Sequence, residues 1–149
     1  MKIQIPTEGA MQNYGEKLAR QLHGGEVIEL IGDIGAGKTT LVKGIGRGLV
    51  IEDVIQSPTF TINRTYEARD GLRLMHYDFY RLAEAGVMMH DVAESVGDPH
   101  TITIIEWADA VQGVLPARRM QIRFTSPTET QRELSVTQLQ SGTNESDEL

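Results

Sequence analysis

The chain contains no cysteine, which excludes disulfide bonds and zinc sites built from thiolates. It also has no apolar run that approaches the ~20 residues needed to span a bilayer. Its first residues, MKIQIPTEGAMQ, contain no apolar core of the kind found in signal peptides. From these absences we expect a soluble, cytoplasmic protein.

Positive charge is scarce. The 149 residues include 14 basic and 21 acidic ones, for a formal net charge of -7, and the lysines are only Lys2, Lys17, Lys38 and Lys43. Nucleic-acid binding requires a surplus of Lys and Arg that neutralises phosphates, so this chain is not expected to bind RNA or DNA by itself. We predict one domain over 1–140 and a disordered polar tail, SGTNESDEL, over 141–149.

Hydrophobic periodicity predicts alternating strands and helices. The predicted strands are 2–5, 26–31, 60–67, 72–79, 101–106, 119–125 and 132–138. The predicted helices run from a cap at Thr7 to Gly24-Gly25, from Lys38 to Leu49, and over 83–96. Asp70-Gly71 between two alternating runs indicates a hairpin. This order predicts a three-layer α/β domain with a mostly parallel sheet and an inserted antiparallel hairpin.

The segment GDIGAGKTT, residues 32–40, matches the phosphate-loop pattern G-x-x-x-x-G-K-[ST] between a predicted strand and a predicted helix. In such a loop backbone N–H groups surround the phosphates, Lys38 reaches the terminal phosphates, and the Thr39 hydroxyl holds Mg²⁺. We therefore predict a P-loop NTPase fold. ATP is favoured over GTP because no lysine follows an Asn, as the Asn-Lys-x-Asp guanine element requires.

A loop that binds Mg²⁺-nucleotide needs an acid at the end of a neighbouring strand. Glu106 follows the apolar run 102–105 and is the predicted metal ligand at the carboxyl end of a central strand. The period of two places His76, Asp78 and Tyr80 together at the far end of another strand. Asp78 is interpreted as a second metal-shell acid or the group that orients an attacking water. For His76 and Tyr80, the alternative to a direct role is that they simply lie on a half-exposed face of the sheet.

Two further features adjoin the predicted site. The segment SPTFT, residues 57–61, offers hydroxyls that could order around the γ-phosphate, and a plain turn into a strand is the alternative. Trp107 directly follows Glu106. It either packs in the core or reports the nucleotide state.

Taken in order, GDIGAGKTT, SPTF, HYDFYRL, IEWAD, Leu115-Pro116 and a late Arg-Glu-Leu at 132–134 resemble the landmarks of the bacterial TsaE family, formerly called YjeE. The resemblance implies a weak Mg²⁺-dependent ATPase that serves the threonylcarbamoyl adenosine modification at position 37 of tRNA. It also implies action together with the TsaD and TsaB subunits, on which we expect the chain to act as a nucleotide-driven switch. The tRNA would be contacted only through that complex.

The resemblance assigns roles residue by residue. Lys38, Asp78 and Glu106 would be catalytic, and Thr39 with Glu106 would hold Mg²⁺. The first strand would border the adenine together with Thr7. The implied nucleotide-binding residues are Thr7, Asp33, Gly35, Ala36, Gly37, Lys38, Thr39, Thr40, Trp107 and Arg132.

Two other functions remain open from the residues alone. One is a small-molecule P-loop kinase, which needs an acceptor pocket and a cationic lid. Arg118-Arg119 is the only basic doublet, so an Arg-rich lid is not evident. The other is a nucleotide-sensing module without catalysis. A switch ATPase needs no second substrate pocket and is the preferred hypothesis.

Overall fold

The protein is described by a computed structural model that covers residues 1–33, 35–58, 61–80 and 88–140. In these ranges the strands are β1 (Lys2–Ile5), β2 (Val27–Ile31), β3 (Asn63–Glu67), β4 (Arg73–Asp78), β5 (Thr101–Glu106), β6 (Arg119–Thr125) and β7 (Arg132–Leu139). The α-helices are α1 (Glu8–Ala19), α2 (Lys38–Gly48) and α3 (Met89–Gly97). Short 3₁₀ turns lie at Arg69–Gly71 and Asp109–Val114.

All seven strands form one sheet in the order β1-β7-β6-β2-β5-β4-β3. The four central strands β6, β2, β5 and β4 are parallel, whereas β1, β7 and β3 pair antiparallel at the edges. The predicted α/β P-loop fold and the hairpin around Asp70-Gly71 are confirmed. The hairpin joins the sheet because β4 pairs in parallel with β5. The carboxyl ends of β2, β4 and β5 consequently meet at one edge, where open α/β sheets bind ligands.

The sheet separates two apolar clusters. Alternate residues of a strand face opposite sides, so Ile104 packs in the cluster that contains α1 and α2, and Ile105 packs in the cluster that contains α3. Burial on both faces explains the nearly continuous apolar runs of β2 and β5. Two faces covered by helices make the three layers that the sequence predicts.

Several boundaries differ from the predictions. Helix α1 starts after the Thr7 cap as predicted, but it ends at Ala19 and continues as isolated turns to Leu22. Strand β3 starts at Asn63, and α3 starts at Met89. The predicted helical residues 83–87, residues 59–60 and the tail 141–149 lie outside the described residues. Within the described ranges, no helix has the length and apolar character needed to cross a bilayer.

Helix α2 ends in a Schellman motif with an unusual residue. The Ile51 N–H donates to the Gly46 carbonyl at 2.9 Å, and the Val50 N–H donates to the Arg47 carbonyl at 3.1 Å. This pattern requires a left-handed residue at Val50, whose φ is 56°. Glycine usually fills that position because a Cβ in the left-handed region costs about 1–2 kcal/mol. The β-branched Val50 is therefore strained, and the residue is 63% exposed.

We expect Val50→Gly to stabilise the protein by roughly 0.5–1 kcal/mol, because relief of the left-handed strain exceeds the added entropy of the unfolded chain. Urea denaturation monitored by circular dichroism measures this change. Val54→Gly is the matched control, since Val54 is also exposed and has no positive φ. If both glycine variants lose the same stability, strain at Val50 is not the reason.

Candidate functional site

A cleft of about 650 Å³ lies at the edge where the parallel strands end. It brings together most residues that the sequence predicts for nucleotide binding and catalysis: Thr7, Gly35, Gly37, Lys38, Thr39, Thr40, Asp78, Glu106, Trp107 and Arg132. Ser57, from the predicted SPTFT segment, also lines it. These residues are spread between positions 7 and 132, so they come together only in the folded chain.

The glycine loop follows β2 and turns sharply into α2. Gly35 and Gly37 have φ values of 81° and 104°, which other residues adopt only with strain. The Asp33 carbonyl accepts from the Ala36 N–H at 3.1 Å, which closes a turn. Asp33 is exposed and Ala36 is buried in the core, and neither lines the cleft. For these two residues, contact with a ligand stays a prediction.

Lys38 is the first residue of α2, and its side chain is only 7% exposed. Its Nζ donates to the Gly32 carbonyl at 2.6 Å and lies 3.6 Å from Glu106 Oε1. The ammonium also lies 4.7 Å from the centre of the Trp107 ring. A buried cation at the start of a helix, beside a cleft, is suited to bind an anion.

The two acids end neighbouring strands in register. Asp78 on β4 pairs with Glu106 on β5, and both are about 4% exposed. Asp78 Oδ1 accepts from the Tyr80 N–H at 2.9 Å. Glu106 Oε2 lies 2.6 Å from Nε2 of His76, a residue that is fully buried. The alternative prediction that His76 lies on a half-exposed face of the sheet is wrong. The residue can be buried because its imidazole forms a hydrogen bond with Glu106 on β5.

An aromatic pair borders the carboxylates. The rings of Tyr80 and Trp107 have centroids 5.0 Å apart, and both residues line the cleft. Trp107 has a φ of 57°, and Ile62, whose carbonyl accepts from the Asp78 N–H, has a φ of 71°. Positive φ is costly for these residues and concentrates at functional sites. The strain therefore adjoins both carboxylates.

Residues next to β1 and β7 also line the cleft, and in the sheet these strands lie on the opposite side of β2 from the two acids. Thr7 caps α1 by accepting from the Ala10 N–H at 3.0 Å, and it lines the cleft together with Ile5 and Pro6. Arg132, at the start of β7, donates to the carbonyls of Glu129 and Gln131 at 3.0 Å each. These contacts fix the guanidinium against its own turn beside the cleft.

Several lining residues were not predicted from the sequence. They are Pro6, Glu8, Met11, Glu129 and Thr130, with Ile5 and Tyr80 assigned only loosely. Glu8 and Met11 belong to a helix whose pattern signals burial against α2 rather than a site. The close packing of α1 on α2 brings them near the phosphate loop: a Cβ on Gly37 would lie 2.9 Å from the Met11 Cε.

The oxygen ligands at the cleft fit a magnesium ion. The Thr39 hydroxyl and the carboxylates of Glu106 and Asp78 line the same space, and Mg²⁺ prefers such oxygen ligands together with phosphate oxygens. Among the described residues, no group of three or more His, Cys, Asp or Glu side chains forms a metal cage by itself.

The parallel sheet and the strand-loop-helix at 27–48 define a P-loop NTPase fold. The crystal structure of Bacillus subtilis YdiB superimposes on this chain with a TM-score of 0.76 and 30% identity, over 95% of this chain and 86% of that one. Residues 5–134 match the family model "Threonylcarbamoyl adenosine biosynthesis protein TsaE". The chain therefore belongs to the TsaE family, as the resemblance in its sequence predicts.

Curated relatives carry the same name, tRNA threonylcarbamoyladenosine biosynthesis protein TsaE. The Synechocystis protein is 43% identical over 113 residues, which cover 73% of this chain and 71% of the relative. The Nostoc protein is 37% identical over 140 residues, or 91% and 85% of the two chains. The Streptomyces coelicolor protein is 36% identical over 115 residues, or 76% and 78%. Membership of this family connects the chain to threonylcarbamoyl adenosine biosynthesis.

Proposed function

We propose that the protein binds and slowly hydrolyses Mg²⁺-ATP, and that it acts in the cytoplasm as a nucleotide-driven switch on the TsaB/TsaD transferase complex that modifies tRNA. The observation that carries the proposal is one cleft that is lined together by the phosphate loop, Asp78, Glu106 and Trp107. A buried ammonium, a hydroxyl and two carboxylates at one strand edge suit a magnesium-bound triphosphate. The negative net charge supports contact with tRNA through the partners.

Each residue of the cleft has a distinct proposed role. The Lys38 ammonium binds the terminal phosphates, and Thr39 and Glu106 hold Mg²⁺, which neutralises charge on the phosphate oxygens. Asp78 orients the attacking water, since its carboxylate lies beside Glu106 in the sheet register. Trp107 flanks the nucleotide near the phosphates. Thr7 and Arg132 contact it at the opposite end of the cleft.

A kinase is not favoured by the arrangement of cavities. Besides the main cleft, a cavity of about 380 Å³ is lined by Gly24 to Ile28, Arg118, Arg119 and Gln138. These residues start β2 and β6 and end the antiparallel β7, so the cavity lies at the opposite edge of the sheet. A phosphate acceptor bound there would be separated from the phosphate loop by the length of the strands. The cavity is therefore unsuited to serve as an acceptor site.

The test is phosphate release from ATP by the protein alone and with its cognate TsaD and TsaB. We expect slow hydrolysis alone and faster hydrolysis in the mixture, and we expect Glu106→Gln to remove the stimulated part. Glu67→Gln is a matched control because its carboxylate is 82% exposed on β3. Unchanged turnover on mixing contradicts the switch, and transfer of labelled phosphate to a metabolite indicates a kinase instead.

A further inference from the structure

His76 is a fully buried histidine on β4, and none of the proposed roles uses it. The two-residue period places it on the same face as Leu74, in the apolar cluster beneath α1 and α2. A buried imidazole is costly unless it is hydrogen-bonded. Its hydrogen bond joins Nε2 to Glu106 Oε2 at 2.6 Å, across 30 residues of sequence. An apolar residue would fill this position at a lower desolvation cost, so the histidine is expected to have a role beyond packing.

The Glu106 carboxylate is held unequally by its two neighbours. Oε2 is in hydrogen-bond contact with His76, whereas Oε1 is 3.6 Å from the Lys38 ammonium, beyond hydrogen-bond distance. An ionised carboxylate only accepts, so the imidazole donates from Nε2. Its Nδ1 has no hydrogen-bond partner within the described chain, which suits an unprotonated nitrogen. The imidazole therefore orients the Glu106 carboxylate, with Oε2 toward His76 and Oε1 toward Lys38.

We infer that His76 is a positioning residue that holds Glu106 in the orientation in which it binds magnesium. This inference rests on the proposed function. In a buried site the attraction between opposite charges grows steeply as they approach. If the imidazole were removed, the carboxylate would turn to Lys38, and each would withdraw the other from the Mg²⁺-nucleotide. A hydrogen bond to a metal-binding side chain is a common way to orient that side chain.

The experiment compares the affinity for ADP in Mg²⁺ and in EDTA, measured by calorimetry on the full chain. The ratio of the two affinities isolates the contribution of the metal, because general loosening of the cleft lowers both. We expect His76→Leu to reduce this ratio by about 10- to 100-fold. We expect His76→Gln to retain most of it, since its amide donates from a position near Nε2. Hydrolysis is not part of this measurement.

His90→Leu is the matched control. His90 and Glu94 form a second histidine–glutamate pair at 3.3 Å, but these side chains are 89% and 72% exposed on α3. We expect its ratio to equal that of the wild type. Thermal unfolding is measured for every variant. If His76→Leu does not fold, His76→Asn replaces it, because its shorter amide does not reach Glu106.

The outcomes separate the two proposals. A wild-type ratio in His76→Leu overturns the positioning role and leaves the proposed function intact. Equal loss in His76→Leu and His76→Gln, with equal loss of stability, also overturns it, since a purely structural role gives that result. If the wild-type protein binds no ADP with or without Mg²⁺, both the proposed function and this inference are overturned.

Discussion

Replacement of Lys38 by methionine is expected to lower the affinity for Mg²⁺-ATP by about 100-fold or more, equivalent to about 2.7 kcal/mol. The ammonium is buried, where it contacts the Gly32 carbonyl, Glu106 and the Trp107 ring. A triphosphate would gain a charge-assisted hydrogen bond in a low-dielectric cleft, where such bonds are strong. Lys38→Met removes the charge but keeps most of the side-chain volume. Calorimetric titration with Mg²⁺-ATP measures the loss.

Lys43→Met is the matched control for this substitution. Lys43 lies on the same helix, α2, but its side chain is exposed and outside the cleft lining. Its replacement is expected to leave the affinity unchanged. The thermal midpoint of Lys38→Met is measured in parallel, since Glu106 loses a neighbouring cation but keeps its bond to His76. Wild-type affinity in a folded Lys38→Met protein would contradict the role of the loop.

The phosphate loop could be predicted from the sequence because its geometry is local. Gly37 has a left-handed φ that the pattern requires, and Lys38 begins α2 immediately after it. The same is true of Glu106, because six consecutive residues of β5 are buried and the acid comes last. The position at which a strand ends determines which side chain can contact a ligand at that edge of the sheet. Neither inference depends on a distant partner.

Other features depend on contacts that a single sequence does not reveal. His76 is buried because Glu106 lies on the next strand, and that pairing follows from the parallel register of β4 and β5. Glu29, in the middle of the apolar run of β2, is buried because Gln112, Arg119 and Gln121 donate to it. Both polar groups interrupt patterns that otherwise indicate core strands. Their partners are separated by 30 to 92 residues.

The early end of α1 has a similar explanation. The apolar periodicity continues to Leu22, but the Arg69 guanidinium donates to the carbonyls of Ala19 and Leu22 at 2.9 and 3.2 Å. Arg69 lies at the tip of the β3-β4 hairpin, and its N–H donates to the Leu49 carbonyl at the end of α2. The hairpin thus satisfies carbonyl groups at the ends of both helices. The apolar periodicity of a helix does not reveal that a distant side chain such as Arg69 will bind the carbonyl groups at its end.

Substitution of Gly44 by alanine is expected to destabilise the protein by about 3 kcal/mol, although alanine favours helices by about 1 kcal/mol. Helices α1 and α2 pack with their backbones in contact. A Cβ on Gly44 would lie 2.2 Å from the carbonyl oxygen of Gln12 and 2.7 Å from its Cα. A Cβ added to Gly15 or Gly48 would likewise lie only 2.5 or 2.6 Å from atoms of the opposite helix. Backbone atoms of a packed helix cannot yield as a flexible side chain does, so the helices must separate.

That separation would also affect the candidate site, because α2 begins with Lys38 and α1 begins beside Thr7. We therefore expect the Gly44→Ala protein to lose both thermal stability and nucleotide affinity, as measured by calorimetric unfolding and by titration with Mg²⁺-ATP. Gly97→Ala is the matched control, since Gly97 is also helical and a Cβ there meets nothing within 4 Å. It is expected to be neutral or slightly stabilising. If Gly44→Ala is as stable as Gly97→Ala, close contact between the helices does not limit this fold, and the position of Lys38 does not depend on it.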